Sequence, residues 1–392
     1  MQAIILAAGN GTRFEPLSLT KPKPLFSVFG ESILEHNLRQ LKGLIKEVII
    51  VVNCKKELIE GLIGQEFEGI KIKYVFQKDL NGTGGGVKLA KPLIKDKFLL
   101  LNGDDFYFKE DIEKVLKTFP CILVKEHNNP SSFGVIIEEK RIVKSIIEKP
   151  EKPISNLVNT GLYFLPKNII DKEIEKSERG EYEFTDYIKS FIKNNNLFAV
   201  KADFWFPASY PWDILDALSF FFSKKKKSVK IKKETNVSIK GKIIVGKGTI
   251  IKSGAYIEGP VYIGCNCVIG PNCFIRSNAV IGNNCKIGQG VEIKNSIIGD
   301  NTNISHLSYV GDSIIGSDCN LGAGTITANL KHDGKTIETI VNGKIIDTKR
   351  IKLGTIIGDG SKTGIGTLIY PGRKIYPGKT TLPGEKVNKD IL

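Results

Sequence analysis

The 392 residues contain no apolar run near the roughly 20 that a membrane helix needs; the longest, Ala3–Ala8 and Val48–Val52, are a fraction of that length. Met1 leads straight into the first of them without a basic segment or cleavage site, so secretion and membrane insertion are disfavoured. Seven cysteines, an odd and dispersed set, supply no disulfide framework, and a chain of this size buries a core without one. A reducing cytoplasm fits best. At 41% hydrophobic and 25% charged residues the composition is that of a globular protein, which excludes a mainly disordered or fibrous chain. The length is about twice that of a common domain and points to two.

Fifty-seven basic against 42 acidic residues leave a net charge of +15, which suits nucleic acid, an anionic surface or small phosphorylated substrates. Seven lysines crowd between Lys224 and Lys233, without interleaved aromatics or a nucleic-acid-binding module. That run reads as a solvated linker rather than a nucleic-acid or membrane patch. The resulting division is residues 1–222, a linker at 223–235, and a second domain at 236–386.

Before the linker, the buried-strand patterns Ala3–Leu6, Val48–Val52, Ile72–Phe76 and Phe98–Leu101 alternate with amphipathic segments such as Ile33–Lys42 and Asp111–Lys117. This is βαβ logic and predicts a mainly parallel sheet with ligands at the carboxyl ends of its strands. After the linker the period changes. Ile239, Val245, Ile251, Ile257, Ile263, Ile269, Ile275, Ile281, Ile287 and Ile293 recur every six residues, and a small residue follows four later at Ala255, Val261, Cys267, Cys273, Ala279, Cys285 and Val291. A strict hexad with an aliphatic and a small interior position predicts a parallel β-helix with three hexads per coil. The pattern slips by one at Ile298, Ile304 and Val310, resumes at Ile315 and Leu321, and is interrupted from about Asn329 to Leu353 before Ile357, Ile369 and Ile375 close it. Cys267, Cys273, Cys285 and Cys319 take the small slot, a structural place. Cys265 and Cys267 have no partner pair at zinc-site spacing, so no metal cluster is expected from cysteine.

The first apolar run ends in Leu6-Ala7-Ala8-Gly9-Asn10-Gly11-Thr12-Arg13, whose glycines let backbone N–H groups turn around phosphate oxygens. Arg13 supplies a fork, and Lys23 in Pro22-Lys23-Pro24-Leu25 a point charge, for a polyphosphate. These residues reproduce the G-x-G-[ST]-R…P-K-[PA]-L pattern, and this half resembles the sugar-1-phosphate nucleotidylyltransferases. The resemblance implies nucleotide contacts from Leu6, Ala8, Gly9, Gly11, Gln77, Gly82 and Thr83, with Gln77 reading the pyrimidine. It implies Asp104, in Asn102-Gly103-Asp104-Asp105, as the Mg²⁺ carboxylate. Sugar-phosphate contacts are implied for Gly134, Glu148, Lys149 and Asn159. The reaction implied is attack of a sugar-1-phosphate oxygen on the α-phosphorus of UTP or dTTP, with pyrophosphate leaving and catalysis by Arg13 and Lys23. Residues 205–213 read Trp-Phe-Pro-Ala-Ser-Tyr-Pro-Trp-Asp where the family has W-x-D-I-G-x-P-W-D, so Pro207 stands in place of a second metal carboxylate. Asp203 or Asp213 reaching the ion, Asp104 sufficing with waters and phosphates, and weakened activity are the alternatives.

Ser305-His306-Leu307-Ser308-Tyr309-Val310-Gly311-Asp312 lies at the hexad slip and is followed by Asn320-Leu321-Gly322-Ala323-Gly324-Thr325-Ile326-Thr327-Ala328-Asn329. A lone histidine is usually no catalyst, but this context closely resembles the acetyltransferase half of the bifunctional enzymes making UDP-N-acetylglucosamine, and the closing segments look like archaeal-type members. The resemblance implies His306 as general base for the sugar amine. It places Arg276, Lys294, Tyr309, Asn320, Asn329 and Lys335 around the amino-sugar phosphate, Ala323 at acetyl-CoA, a left-handed helix, and a homotrimer with sites between neighbours. Leu330 replaces a tyrosine of the bacterial enzymes.

The expected architecture is therefore an α/β Rossmann-like nucleotidylyltransferase domain followed by a left-handed parallel β-helix of hexapeptide repeats. The expected activity is acetyl-CoA-dependent N-acetylation of glucosamine-1-phosphate and uridylyl transfer to the product, with Mg²⁺ required and no nucleic-acid or membrane partner. A single-function glucose-1-phosphate enzyme with a structural β-helix, an acetyltransferase with a degenerate first domain, and a non-catalytic regulatory subunit are the rivals. His306 and its neighbours speak against the first, and the presence of Arg13, Lys23 and Asp104 against the last.

Overall fold

The computed structural model describes residues 1–53, 55–177, 180–226 and 231–392, so Cys54 and, within the lysine run, Lys227 and Lys230 lie outside the described residues. Two compact units result: Met1–Asn10 with Ile33–Pro207, and Gly11–Ser32 with Ala208–Leu392. The division falls inside the Gly-rich signature, between Asn10 and Gly11.

The first unit is built on strands β1 (Gln2–Leu6), β2 (Glu47–Val52), β3 (Ile70–Phe76), β4 (Lys97–Asn102), β5 (Asp105–Phe106), β6 (Cys121–Glu126), β7 (Gly134–Glu139), β8 (Ile142–Glu148), β9 (Leu157–Pro166), β10 (Phe198–Lys201) and β11 (Phe206–Pro207). Its helices are α1 (Ile33–Leu41), α2 (Lys56–Ile63), α3 (Thr83–Ala90), α4 (Lys109–Leu116) and α5 (Phe184–Ile192). The main sheet runs β7-β8-β10-β6-β9-β4-β1-β2-β3, with Glu66–Phe67 at the edge; β5 and β11 pair separately. Ala3, Ile4 and Ile5 of β1 are wholly buried, as continuous apolar strands covered on both faces must be. Helix α1 turns Ile33, Leu34, Leu38 and Leu41 to the core, the spacing of one helical face.

The sheet is mixed, not mainly parallel. Strands β3, β2, β1 and β4 are parallel, but β9 enters antiparallel between β4 and β6, and β7 and β8 form an antiparallel hairpin. The hairpin has a local cause in the turn Lys140-Arg141, with φ of 50° and 66°, a left-handed two-residue connection that only an antiparallel pair accepts. Its residues carry none of the usual Gly or Asn signal.

In the second unit, helix α6 (Asp213–Lys224) runs into the lysine-rich segment, and Lys233 bridges to Ile251 where the strand stack begins. Short strands then visit three parallel sheets in turn, of eight, seven and six strands. Ile239 pairs with Ile257, Ile257 with Ile275 and Ile275 with Ile293, each 18 residues on. The step drops to 17 residues from Ile281 to Ile298 and again from Ile298 to Ile315, the structural form of the hexad slip. Between strands, Asn266, Asn272, Asn278, Asn284, Asn295 and Asn301 take left-handed backbone, which asparagine tolerates better than most side chains. The interruption is an antiparallel hairpin, Glu338–Val341 with Lys344–Asp347, after which Ile315 pairs with Ile357. The buried Lys374 donates to the Ile340 carbonyl (2.7 Å) and ties the hairpin to the stack. Segment 11–32 belongs to this unit: Phe29 packs edge-on against Phe222 and Tyr262, at 4.8 and 5.4 Å between ring centroids.

Candidate functional sites

In the first unit the candidate residues gather at the carboxyl ends of β1 to β4. Leu6 pairs with Asn102, and the Gly103 N–H donates to the Leu6 carbonyl (2.8 Å). A Cβ on Gly103 would lie 2.9 Å from that oxygen, so glycine alone lets the loop carrying Asp104 approach the loop after β1, where Ala7 and Ala8 are buried. Asp104 is half-buried and Asp105 buried. The phenol of Tyr107 is pushed well above its usual pKa, by burial first and then by the charges of Asp105 and Asp104.

Gln77 begins the loop after β3 but is itself buried, and both hydrogens of its amide are committed, to Asn81 Oδ1 (3.0 Å) and the Gly82 carbonyl (3.1 Å). Gly82 has φ +97°, and a Cβ there would lie 2.5 Å from the Tyr182 carbonyl. The Thr83 hydroxyl accepts the Phe184 N–H (2.9 Å), tying the start of α3 to α5. These residues thus shape the loop as much as they face solvent.

Gly134, Glu148 and Asn159 come together. Gly134 pairs with Glu148 across the hairpin, and a Cβ on it would stand 3.1 Å from Glu148 Oε2 and 3.4 Å from Asn159 Cβ. Asn159 accepts the Gly161 N–H (2.8 Å) and donates to the Tyr163 hydroxyl (2.6 Å). The buried Tyr163 phenol is raised, by burial above all and further by Glu148. The sequence reading passed over Tyr163; a register shift in β9 between Asn159 and Tyr163 brings the pair together, and no pattern announces it. Lys149 is partly exposed, 3.5 Å from Glu148 Oε1. Nearby, Phe133 lies edge-on to His127 and Trp205, at 4.7 and 5.4 Å.

Pro207 pairs with Asp105 in the small β5–β11 ribbon, so the proline sits beside the acidic loop. Asp203 is engaged elsewhere, ion-paired with Lys114. Its backbone N–H, with that of Phe204, is held by the buried Asp111 carboxylate (2.9 and 2.7 Å).

In the second unit, Gly11 (φ +64°) opens the segment carrying the two cations, and its carbonyl accepts the Ser18 hydroxyl (2.8 Å). Lys23 is buried with its Nζ 5.7 Å from the Phe14 ring centre. The Arg13 guanidinium lies 5.7 Å from the Tyr210 ring centre. Asp213 heads α6 and accepts the Tyr210 N–H (2.8 Å); burial raises its carboxyl to about 7, against the pull of that hydrogen bond, Lys23 and Arg13.

The other candidate group stands on the first sheet of the stack. Phe274, Glu292, Tyr309 and Ile326 form one cross-strand ladder. Arg276 pairs with Glu292 (2.8 Å). Asn329 donates to the Tyr309 hydroxyl (3.1 Å) and to Asp312 Oδ2 (2.6 Å), while Asn295 donates to Asp312 Oδ1 (2.6 Å) and Lys294 Nζ lies 3.9 Å from Asp312. The buried Asp312 is the hub the sequence reading left out, although it closes the quoted motif. Burial raises the Tyr309 phenol, while its bond from Asn329 opposes the rise.

His306 ends a strand of the third sheet and is exposed at the corner leading to Tyr309. Its carbonyl is fixed by the Ser308 hydroxyl (2.7 Å) and the Gly324 N–H (3.3 Å), which places Ala323 on the next level of the same corner. Asn320 stands on the third sheet, between Asn303 and Lys362, away from the Tyr309 ladder. Lys335 is exposed on the insertion, where its N–H donates to Asp333 (3.0 Å), and among the described residues no bond joins it to the Tyr309 group. Cys267, Cys285 and Cys319 fill the small slot, their thiols directed at the carbonyls of Gly282, Gly299 and Gly358.

Together these features fit a transferase, with two cations, Arg13 and Lys23, in one signature and a histidine followed by a polar network in another. Residues 2–218 match the nucleotidyl transferase family, and residues 257–388 match the GMPPB C-terminal domain. The chain is 42% identical over 377 residues, 95% of its length and 91% of the relative's, to the bifunctional protein GlmU of Methanocaldococcus jannaschii. It is 40% identical over 407 residues, 100% and 98% of the two chains, to the bifunctional sugar-1-phosphate nucleotidylyltransferase/acetyltransferase of Sulfurisphaera tokodaii. In fold it is similar to a putative glucose-1-phosphate thymidylyltransferase from Bacillus anthracis, with a TM-score of 0.52 at 23% identity, covering 59% of this chain and 98% of that one. The chain belongs to the family of bifunctional sugar-1-phosphate nucleotidylyltransferase/acetyltransferases.

Proposed function

We propose that the chain acetylates glucosamine-1-phosphate from acetyl-CoA and then transfers a uridylyl group from UTP to the N-acetylglucosamine-1-phosphate formed. The observation that carries the first half is the exposed His306 at the corner beside the Tyr309–Asn329–Asp312 network. In this reading the imidazole takes a proton from the sugar's 2-amine, nitrogen attacks the thioester carbon, and the carbon–sulfur bond breaks, the leaving thiolate taking up a proton from the imidazolium or water to give the CoA thiol. Arg276 and Lys294 meet the sugar phosphate with Tyr309, Asn320, Asn329 and Lys335, and Ala323 borders the acyl donor. The stacked strands are a left-handed parallel β-helix, and three copies assemble around it. The boundaries are 1–222 for the nucleotidyl half and 236–386 for the acetyl half.

In the nucleotidyl half, Arg13 and Lys23 neutralise the triphosphate while Gly134, Glu148, Lys149 and Asn159 hold the sugar-1-phosphate. Its phosphate oxygen displaces pyrophosphate at the α-phosphorus, with catalysis by positioning and charge neutralisation. Leu6, Ala8, Gly9, Gly11, Gln77, Gly82 and Thr83 form the nucleotide's surroundings. A half-buried Asp104 beside a buried Asp105 fits Mg²⁺, an ion commonly held by one or two carboxylates plus phosphates. Bound there, Mg²⁺ supplies charge neutralisation on the triphosphate.

His306→Ala is the test. It should lower thiol release from acetyl-CoA by about 10²- to 10⁴-fold while pyrophosphate release from UTP and N-acetylglucosamine-1-phosphate stays near wild type. Acetylation above about a tenth of wild type would contradict the role given to this histidine.

A further inference from the structure

Arg13 carries five N–H donors, and among the described residues it makes no hydrogen bond or ion pair; it lies against the face of Tyr210 and within electrostatic reach of Asp213. That ring is itself held by its neighbours, the ring face by one and the backbone by the others. It stacks on the buried Trp212 at 4.6 Å between centroids and 5° between planes. The Tyr210 N–H donates to Asp213 Oδ2 (2.8 Å), and the Asp213 N–H donates back to the Tyr210 carbonyl (3.1 Å). Pro211 fixes the backbone between them. The phenol oxygen makes no hydrogen bond with the described residues, so the contact with Arg13 belongs to the ring face and not to the hydroxyl.

We infer that Tyr210 is a positioning residue for nucleotidyl transfer: its clamped ring holds the Arg13 guanidinium by a cation–π contact and leaves the N–H fork turned to the triphosphate. This rests on the reading of Arg13 as a phosphate-binding group. An arginine on a free side chain must lose its rotamer freedom when substrate binds; one already seated on an aromatic face has lost much of it. Tyr210, Trp212 and Asp213 thereby explain one another: the carboxylate fixes the turn, the indole fixes the ring, and the ring fixes the cation.

The experiment uses the full chain with Tyr210→Phe and Tyr210→Leu, each alone and on an Arg13→Gln background, reading kcat/KM for UTP by pyrophosphate release. UTP affinity by calorimetry with Mg²⁺ gives the comparison on the slower background. Tyr210→Leu should cost about 2- to 30-fold, the span of a cation–π contact, whereas Tyr210→Phe should retain most of the activity. With Gln at position 13, Tyr210→Leu should cost less than about 2-fold, because the partner is gone. Acetyl transfer by the same samples reports that each variant is folded. An equal loss from Tyr210→Leu in both backgrounds, no loss in either, or a Phe variant as damaged as Leu overturns the inference. A wild-type chain without nucleotidyl transfer overturns the reading beneath it, a result distinct from all of these.

Discussion

The Asp213 carboxyl, raised by burial to about 7 from an ordinary 3.8, keeps its proton in the fold over a range where the unfolded chain has released it. Between those values the folded state binds more protons, so this group's contribution to stability is largest at acid pH and declines as pH rises toward 7. The shift spans about three pH units, an upper bound of about 4 kcal/mol. Asp213→Asn, which keeps an acceptor for the Tyr210 N–H without the charge, should therefore gain in Tm relative to wild type between pH 5 and pH 7.5, without ligands. Parallel profiles would contradict it. At this scale the sequence offered candidates through a resemblance, as with His306, Tyr309 and Asn329, and the structure joins the last two by a hydrogen bond. Residues whose role depends on a local irregularity or a distant contact were not legible: Tyr163 reaches Asn159, four residues away, through a strand irregularity, and Tyr210 reaches Arg13 across nearly 200 positions of chain.

Among the elements, the hexad was the most legible feature because a side chain that must point inward at every strand leaves a strict period. Ile257, Ile263, Ile269, Ile275, Ile281, Ile287 and Ile293 are all wholly buried. The small-residue series continues past Val291 as Ser296, Thr302, Ser308, Ser313, Cys319 and Thr325, all buried and keeping step with the two slips. Hydropathy hid it, because its members turned polar. Their hydroxyls are satisfied internally, as where Thr302 donates to the Gly316 carbonyl (2.9 Å). The β7–β8 hairpin was missed for a different reason, the unmarked turn at Lys140-Arg141. The β5–β11 ribbon bears on metal use, since Pro207 offers no carboxylate beside Asp105 and Asp203 is tied to Lys114. Nucleotidyl transfer should saturate only at about millimolar Mg²⁺, with Asp104, waters and phosphates as ligands, and Pro207→Asp should lower the requirement while leaving acetyl transfer unchanged. Saturation of the wild type at micromolar Mg²⁺ would show that another carboxylate already serves.

For the whole molecule, no helix among the described residues is long and apolar enough to cross a membrane. The exposed corner holding His306 carries Leu307, and farther along the chain Ile365 and Leu382 are exposed by 63% and 74%, apolar surface that one copy leaves in water. Light scattering should give about 130 kDa, three chains of 43.3 kDa, and a monomer at micromolar concentration would remove the proposed intersubunit acetyl site. The central claim is that one chain performs two group transfers in sequence, and mass analysis of the products tests it most directly. Wild-type protein incubated with glucosamine-1-phosphate, acetyl-CoA, UTP and Mg²⁺ should yield UDP-N-acetylglucosamine, with free CoA thiol and pyrophosphate formed in equal amounts. An unacetylated sugar, or an acetylated sugar phosphate that never acquires the nucleotide, would contradict it.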